Sequence, residues 1–228
     1  MKTSKVFNTI LHSLFPCRCP YCGKIIRIGE YACKSCADNI RQENIVSKLS
    51  NCVNVSPFRL DGMYRQAVYS LKFSTKPGYA EQMAVPMIIA LKSVYGQQLK
   101  EIDYVTFVPA TQKSENKRGY NQSKLLAKHI GIQLEVCCKP LLIKVKENET
   151  QHLLPRNKRK SNVEKVFAHN KKYDISNKNI LLVDDIFTTG STVGECAKVL
   201  LGTSAQNVLC TTFVTVLPEN IENAENKM

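Results

Sequence analysis

The stretch ILLVDDIFTTGST, residues 180–192, closes an apolar run with two adjacent carboxylates and follows them with a loop of small residues. If Ile180–Val183 is a strand of a parallel sheet, Asp184 and Asp185 fall at its carboxyl end, where α/β proteins gather their ligands. Thr188, Thr189, Gly190, Ser191 and Thr192 then lead toward a helix, whose first backbone N–H groups are unpaired and favour an anion. Gly190 permits close backbone approach, and the hydroxyls add donors without adding charge. No lysine follows as it does in GxxxxGK[ST], so the loop suits one terminal phosphate better than a nucleoside triphosphate chain. The carboxylates cannot face that phosphate. They suit sugar hydroxyls beside it, directly or through a hydrated Mg²⁺, which prefers oxygen ligands. A sugar phosphate with vicinal hydroxyls satisfies both halves, whereas a strand ending in turn-forming Asp followed by a Ser/Thr helix cap accounts for either half taken alone.

A second chemistry is written near the N-terminus. Residues 17–36 read CRCPYCGKIIRIGEYACKSC, which places Cys19-x2-Cys22 and Cys33-x2-Cys36 ten residues apart. Each C-x2-C turn can present two thiolates to one tetrahedral Zn²⁺, and Gly23 allows the backbone bend of a knuckle. Four protein ligands leave no open position, so the ion would be structural. A redox C-x2-C would need a thioredoxin-like βα unit, which the surrounding sequence lacks. Cys17 stands close enough to replace Cys19 as a ligand. The remaining Cys52, Cys137, Cys138, Cys196 and Cys210 read as small buried hydrophobes.

Thirty-two Lys and Arg against nineteen Asp and Glu give the 228-residue chain a formal charge of +13. That excess favours polyanionic partners, nucleic acid or an anionic membrane surface, and is silent on fold. No apolar run reaches the ~18–20 residues of a membrane span, and the longest hint, Met83–Leu91, contains Pro86. The first residues lack a continuous apolar leader core; Val6, Ile10, Leu11 and Leu14 are spaced for one helix face. A cytoplasmic protein is expected, in a reducing compartment where clustered cysteines bind metal more often than they form disulfides.

Stepping along the chain, the leading helix and the cysteine module fill residues 1–45, and RQENIVSKLSNC reads as a helix tail or linker into a main domain over 46–218. Residues 63–73 and 79–94 carry helical apolar spacing on either side of Pro77-Gly78. Tyr104–Val108 is a short β-rich run that stops at Pro109. Gln122, Leu125, Leu126, His129 and Ile130 mark one helix face, which Gly131 can end. Residues 144–172 are polar and basic, with Arg156, Lys158, Arg159 and Lys160 clustered, as in a solvated loop or a nucleic-acid contact. Residues 179–183 form a buried strand, Val193, Cys196, Ala197, Leu200 and Leu201 a helix stripe, and Val208–Val216 a last strand; residues 219–228 read as a flexible tail. Strand, loop, helix and strand recur, which predicts an α/β fold with a mostly parallel sheet flanked by helices and a small N-terminal four-cysteine zinc module.

VDDIFTTGST resembles the phosphoribosyl pyrophosphate (PRPP) motif of type I phosphoribosyltransferases. VPATQKSENKRGYNQSKLLA (108–127) is similar to the Val-Pro…Arg-Gly-Phe-Asn-Gln…Leu-Ala block of the competence protein F (ComF) family, ETQHLLPRNKRKSNVEKVF (149–167) to its Gln…Arg…Asn-Val…Phe block, and DGMYRQAVYSLKF (61–73) to its Leu-Lys-Phe segment. The resemblance covers most of residues 17–216. It implies that Asp184 and Asp185 hold ribose hydroxyls, that Thr188–Thr192 cradle the 5′-phosphate, and that Pro109-Ala110 lies near pyrophosphate, which leaves with Mg²⁺. Lys113, Lys117 and Arg118, in a mobile-looking loop after that turn, are suited to a pyrophosphate leaving group. Gln151, Arg156 and Asn162 match family positions without a role that chemistry alone supplies. Phe187 stands where an aliphatic residue is usual, and Tyr120 where Phe is.

Three functions fit these residues. The resemblance implies a protein of natural transformation that binds PRPP or a related sugar phosphate and handles single-stranded DNA with a partner ATPase or helicase. A nucleobase phosphoribosyltransferase of nucleotide salvage would use the same donor site with an acceptor site that the sequence does not display. A zinc and nucleic-acid binding module would keep the PRPP site only as a relic.

Overall fold

The computed structural model describes residues 16–73, 77–145 and 166–216. The expected leading helix, the cluster at Arg156–Lys160, Gln151, Asn162 and the C-terminal tail lie outside them. A six-stranded sheet has the order β1-β2-β8-β7-β4, with β3 alongside β8. Its members are β1 (Ile45–Lys48), β2 (Val53–Ser56), β3 (Phe58–Arg59), β4 (Tyr104–Phe107), β7 (Asn179–Phe187) and β8 (Asn207–Thr215). Every pairing in it is parallel except that of β1 with β2. A separate antiparallel hairpin joins β5 (Leu142–Lys144) to β6 (Phe167–His169).

Helices cover both faces of the sheet, as burial of β7 on both sides requires. Leu181 and Val183 of β7 join one core cluster with Met83, Met87 and Leu91 of α3 (Tyr79–Tyr95) and Leu126 and Ile130 of α5 (Gln122–Leu134). The alternate residues Ile180 and Leu182 join a second cluster with Val193, Cys196, Ala197 and Leu200 of α6 (Ser191–Leu201). The strand period of two thus separates the two cores. The cysteine module, which contains the short helix α1 (Lys34–Ala37), packs into the first: Tyr21 meets the Tyr64 ring edge-on, and Tyr64, on α2 (Gly62–Phe73), stacks on Phe58 at 4.0 Å.

Four expectations are corrected. Ile45–Lys48, read as helix tail or linker, is an edge strand whose half-buried, half-exposed alternation is too short to carry a distinct apolar signal. The loop after Pro109 contains helix α4 (Gln112–Arg118), started by Thr111, whose Oγ1 accepts from the Ser114 N–H, and stopped by Gly119 at φ 81°. Gly131 does not end α5, which runs to Leu134 with Glu135 in the left-handed region. The glycine instead makes room for the returning chain, since a Cβ there would stand 2.7 Å from the Val136 carbonyl oxygen. Of the five remaining cysteines, Cys52, Cys196 and Cys210 are buried as expected, but Cys137 is exposed and Cys138 only half-buried. Among the described residues, no helix is long and apolar enough to cross a membrane.

Asn121 fixes where α5 begins. Its Oδ1 accepts from the Lys124 N–H at 3.1 Å and its Nδ2 donates to the Val108 carbonyl at 3.0 Å, joining the helix N-terminus to the end of β4. Asn121→Ala removes both bonds and should destabilise the fold by about 1–2 kcal/mol, the upper range of a lost cap. Urea denaturation checks this, with the midpoint moving and the slope unchanged.

Candidate functional site

The expected strand end at Val183 is a further correction, because β7 continues through Asp184 and Asp185 to Phe187. What ends is its neighbour. β4 pairs with β7 only as far as Phe107 opposite Val183, while β8 follows β7 to Phe187 opposite Thr215. The two carboxylates therefore emerge where one flank of β7 has lost its strand partner, a crevice at the carboxyl edge of a parallel sheet.

The carboxylates are held from two helices. Ser123 Oγ, in the first turn of α5, donates to Asp184 Oδ1 at 2.6 Å, and the Asp185 N–H donates to the same oxygen at 2.9 Å. Lys72 Nζ, near the end of α2, lies 3.0 Å from Asp185 Oδ2, with both side chains largely covered. Burial, followed by the neighbouring Asp185 charge, pushes the Asp184 carboxyl up to about 7, against the opposing pull of the Ser123 hydrogen bond. Lys72 lies in the Leu-Lys-Phe segment but shows no chemistry in the sequence by itself. A lysine on an amphipathic helix reads as a solvated residue, and only the fold brings it to Asp185.

The small-residue loop follows at once. Thr188, Thr189, Ser191 and Thr192 are exposed, and Gly190 is buried beneath them. Gly190 has φ 77°, and a Cβ there would stand 2.6 Å from Phe187 Cζ and 2.7 Å from Leu49 Cδ2. Conformation and space both require glycine. As N-cap of α6, Gly190 offers no side-chain acceptor to the helix N–H groups, while Thr189 Oγ1 and Ser191 Oγ lie 2.7 Å apart above it. The Ser191 N–H donates to Thr189 Oγ1 at a long 3.4 Å, so the start of α6 presents N–H and hydroxyl groups with no cap from its own N-cap residue.

The remaining residues singled out in the sequence lie on the segment after β4. Pro109 and Ala110 are half-buried at its exit. Lys113 is exposed on α4. Arg118 Nη1 donates to Gln122 Oε1 at 3.1 Å and the guanidinium sits 5.6 Å from the Phe73 ring centre. Tyr120 Oη donates to the Leu71 carbonyl at 2.6 Å, which ties the end of α2 to the RGYNQ turn. Gln122 is buried, and its Nε2 has no hydrogen-bond partner among the described residues.

The four-cysteine group that the fold brings together includes Cys19 rather than Cys17. The sulfurs of Cys19, Cys22, Cys33 and Cys36 all lie within 4.8 Å of one another, and Cys17 is outside the group. A tetrahedron built on ~2.3 Å metal–sulfur bonds has edges of about 3.8 Å, so the four thiols could hold a metal ion. The Cys19 carbonyl accepts from the Gly23 N–H at 2.8 Å and the Cys19 N–H donates to Lys24, which makes the tight knuckle; Gly23 takes φ 77°.

The fold and site define an α/β protein with a carboxylate pair and a hydroxyl-rich glycine loop at the carboxyl edge of a mostly parallel sheet, and a four-cysteine module packed beside it. No protein-family model matches the chain. Among characterised proteins it is 27% identical over 201 residues to the DNA utilization protein YhgH of Escherichia coli strain K12, a match covering 84% of this chain and 82% of that one. It is 26% identical over 185 residues to competence protein F of Haemophilus influenzae, covering 79% and 78%. An adenine phosphoribosyltransferase from Saccharomyces cerevisiae, solved with an imino-altritol bisphosphate and adenine, superposes with a TM-score of 0.42 at 18% identity, covering 67% of this chain and 75% of that one. Over most of its length the chain is homologous to proteins named DNA utilization protein YhgH and competence protein F.

The raised Asp184 proton affinity has a consequence for stability. The folded state keeps a proton that the unfolded chain releases near its usual value of 3.8, so this stabilisation is full below that value and is lost as pH rises through about 7. Asp184→Asn, neutral throughout, should therefore come close to the native protein at pH ~3.5, below both values, and exceed its thermal midpoint at pH ~8, above both. Equal midpoints at both pH values would mean that the carboxyl is not strained by its surroundings.

Proposed function

We propose that this protein binds PRPP or a related pentose phosphate at the carboxyl edge of β7 and acts in the handling of single-stranded DNA during DNA uptake. The observation that carries the reading is the placement of Asp184 and Asp185 directly before an uncapped, hydroxyl-ringed helix start at Gly190–Ser191. Asp184 and Asp185 accept from the ribose hydroxyls, and Thr188, Thr189, Gly190, Ser191 and Thr192 bind the 5′-phosphate through N–H and hydroxyl donors. Pro109 and Ala110 border the pyrophosphate. Lys113 and Arg118 supply its positive charge, Arg118 by exchanging Gln122 for a phosphate oxygen. Mg²⁺, which takes oxygen ligands from carboxylates and phosphates, would neutralise the pyrophosphate when bound. Ser123 and Lys72 orient the two carboxylates.

The names of the relatives, DNA utilization protein and competence protein F, support the DNA role, as does the +13 charge. A partner ATPase or helicase of the uptake machinery and a cytoplasmic location belong to the same proposal. So does a division of the chain near residue 45 into a cysteine module and a larger phosphoribosyltransferase-like domain. In that module Cys19, Cys22, Cys33 and Cys36 hold one structural Zn²⁺.

Each charge-assisted hydrogen bond lost from the ribose should cost about 1.5–3 kcal/mol. The Asp184→Asn, Asp185→Asn double variant should then bind PRPP roughly a hundredfold more weakly in calorimetry, at ~1.4 kcal/mol per factor of ten. Its fold and metal content should be retained, since Asn preserves the size of both side chains. Equal affinity would remove the carboxylates from the site. Elemental analysis should give one zinc per chain, lost in Cys22→Ser together with order in the module; a metal-free module of unchanged stability would refute the zinc.

A further inference from the structure

Helix α2 buries Leu71 in the core and sends Lys72 to Asp185, yet it leaves two aromatic rings in solvent. Tyr69 is 53% exposed and Phe73 61% exposed, one helical turn apart, with ring centres 5.7 Å from each other and planes inclined by 37°. The Arg118 guanidinium lies over the other ring, 5.6 Å from the Phe73 centre. The helix end that carries them is held in place by the Tyr120 hydrogen bond to Leu71 and by the Lys72–Asp185 ion pair. Core packing gains nothing from these rings, and open water penalises them. A fixed, open surface of two rings and a planar cation has the chemistry that stacks against an unpaired base.

We propose that Tyr69 and Phe73 form a stacking platform for the bases of a single-stranded nucleic acid, placed beside the pentose-phosphate site. Three observations favour a strand over a free base or a protein. The platform is exposed, so it accepts a base that stays attached to its backbone; a small base bound alone would need enclosure to gain affinity. Arg118, the cation over the Phe73 ring, and the +13 net charge suit a phosphate backbone. Finally, stacking is tolerant of sequence because every base has a π-face. The inference rests on the proposed DNA role and adds its base-contacting surface. Helix α2 carries both rings and also Lys72, which is bound to Asp185, so the platform and the carboxylate pair share one element.

The test uses the full chain with a short oligothymidylate, the same oligomer made abasic, and free thymine. The Tyr69→Ala, Phe73→Ala double variant should bind the oligothymidylate about tenfold or more weakly, the loss expected for one stacked base. The abasic strand should bind the native protein no better than the oligothymidylate binds the variant. The salt slope, roughly −0.7 per phosphate neutralised, should be the same in both proteins because phosphate contacts persist. A Phe73→Tyr variant, which keeps the ring, should bind as the native protein does, and unchanged thermal midpoints confirm that the folds are comparable. Equal oligothymidylate affinity in native and double-variant proteins overturns the platform while leaving DNA handling intact. Tight binding of free thymine, abolished in the double variant, overturns the strand as occupant. Failure of the native protein to bind any strand overturns both the platform and the DNA role, and PRPP calorimetry on the same sample then reports separately on the pentose-phosphate site.

Discussion

Two carboxylates adjacent in sequence and largely withdrawn from water repel each other, and the structure around β7 is organised by that constraint. Asp185 is answered by the ammonium of Lys72 and Asp184 by the hydroxyl of Ser123, each from a different helix. Asp184 still holds its proton up to about 7. A protein selected for stability alone would place an apolar residue or an amide there. Retaining a carboxyl at such a cost supports the proposed pentose-phosphate site, where an incoming hydroxyl or cation would meet the pair.

The segment from Arg118 to Ser123 ties the site together. Arg118 bonds Gln122, Tyr120 bonds the end of α2, Asn121 bonds the end of β4 and caps α5, and Ser123 bonds Asp184. Six consecutive residues thereby set the relative positions of two helices and two strands around one crevice. Tyr120 in place of Phe adds a bond here, since a phenyl ring could not donate to Leu71. Phe187 in place of an aliphatic residue sits under the loop, where its ring occupies the space that any Cβ at position 190 would need. The cysteine module enters the same arrangement through Tyr21, which packs edge-on to Tyr64 on the helix that carries Lys72.

Local chemistry was legible in the sequence wherever one short stretch contains a whole device. The strand–acid–loop–helix unit at 179–201 and the two C-x2-C turns are of this kind, because an apolar run, a glycine and a ligand spacing are each confined to a few residues. What depends on distant residues was not legible. Lys72 reads as an ordinary helix-surface lysine until α2 is packed beside β7. Ile45–Lys48 alternates over only four residues and gains its identity as a strand from β2. Gly131 carries the same signal whether it stops a helix or admits the Val136 carbonyl, and only the return of the chain distinguishes them. Strand length was underestimated at Asp184 because polar residues end an apolar run, whereas pairing with β8 continues to Phe187.

The central claim is that the carboxylate pair and the uncapped start of α6 form one pentose-phosphate site. Backbone amide chemical shifts, followed as ribose 5-phosphate is added to the ¹⁵N-labelled protein, address it directly. The account predicts saturable shifts centred on Thr189 to Val193 and on Asp184 and Asp185, with ribose alone unable to produce the first group and inorganic phosphate unable to produce the second. Saturable shifts confined to other parts of the sheet, or none at ligand concentrations that saturate a sugar-phosphate site, would contradict it.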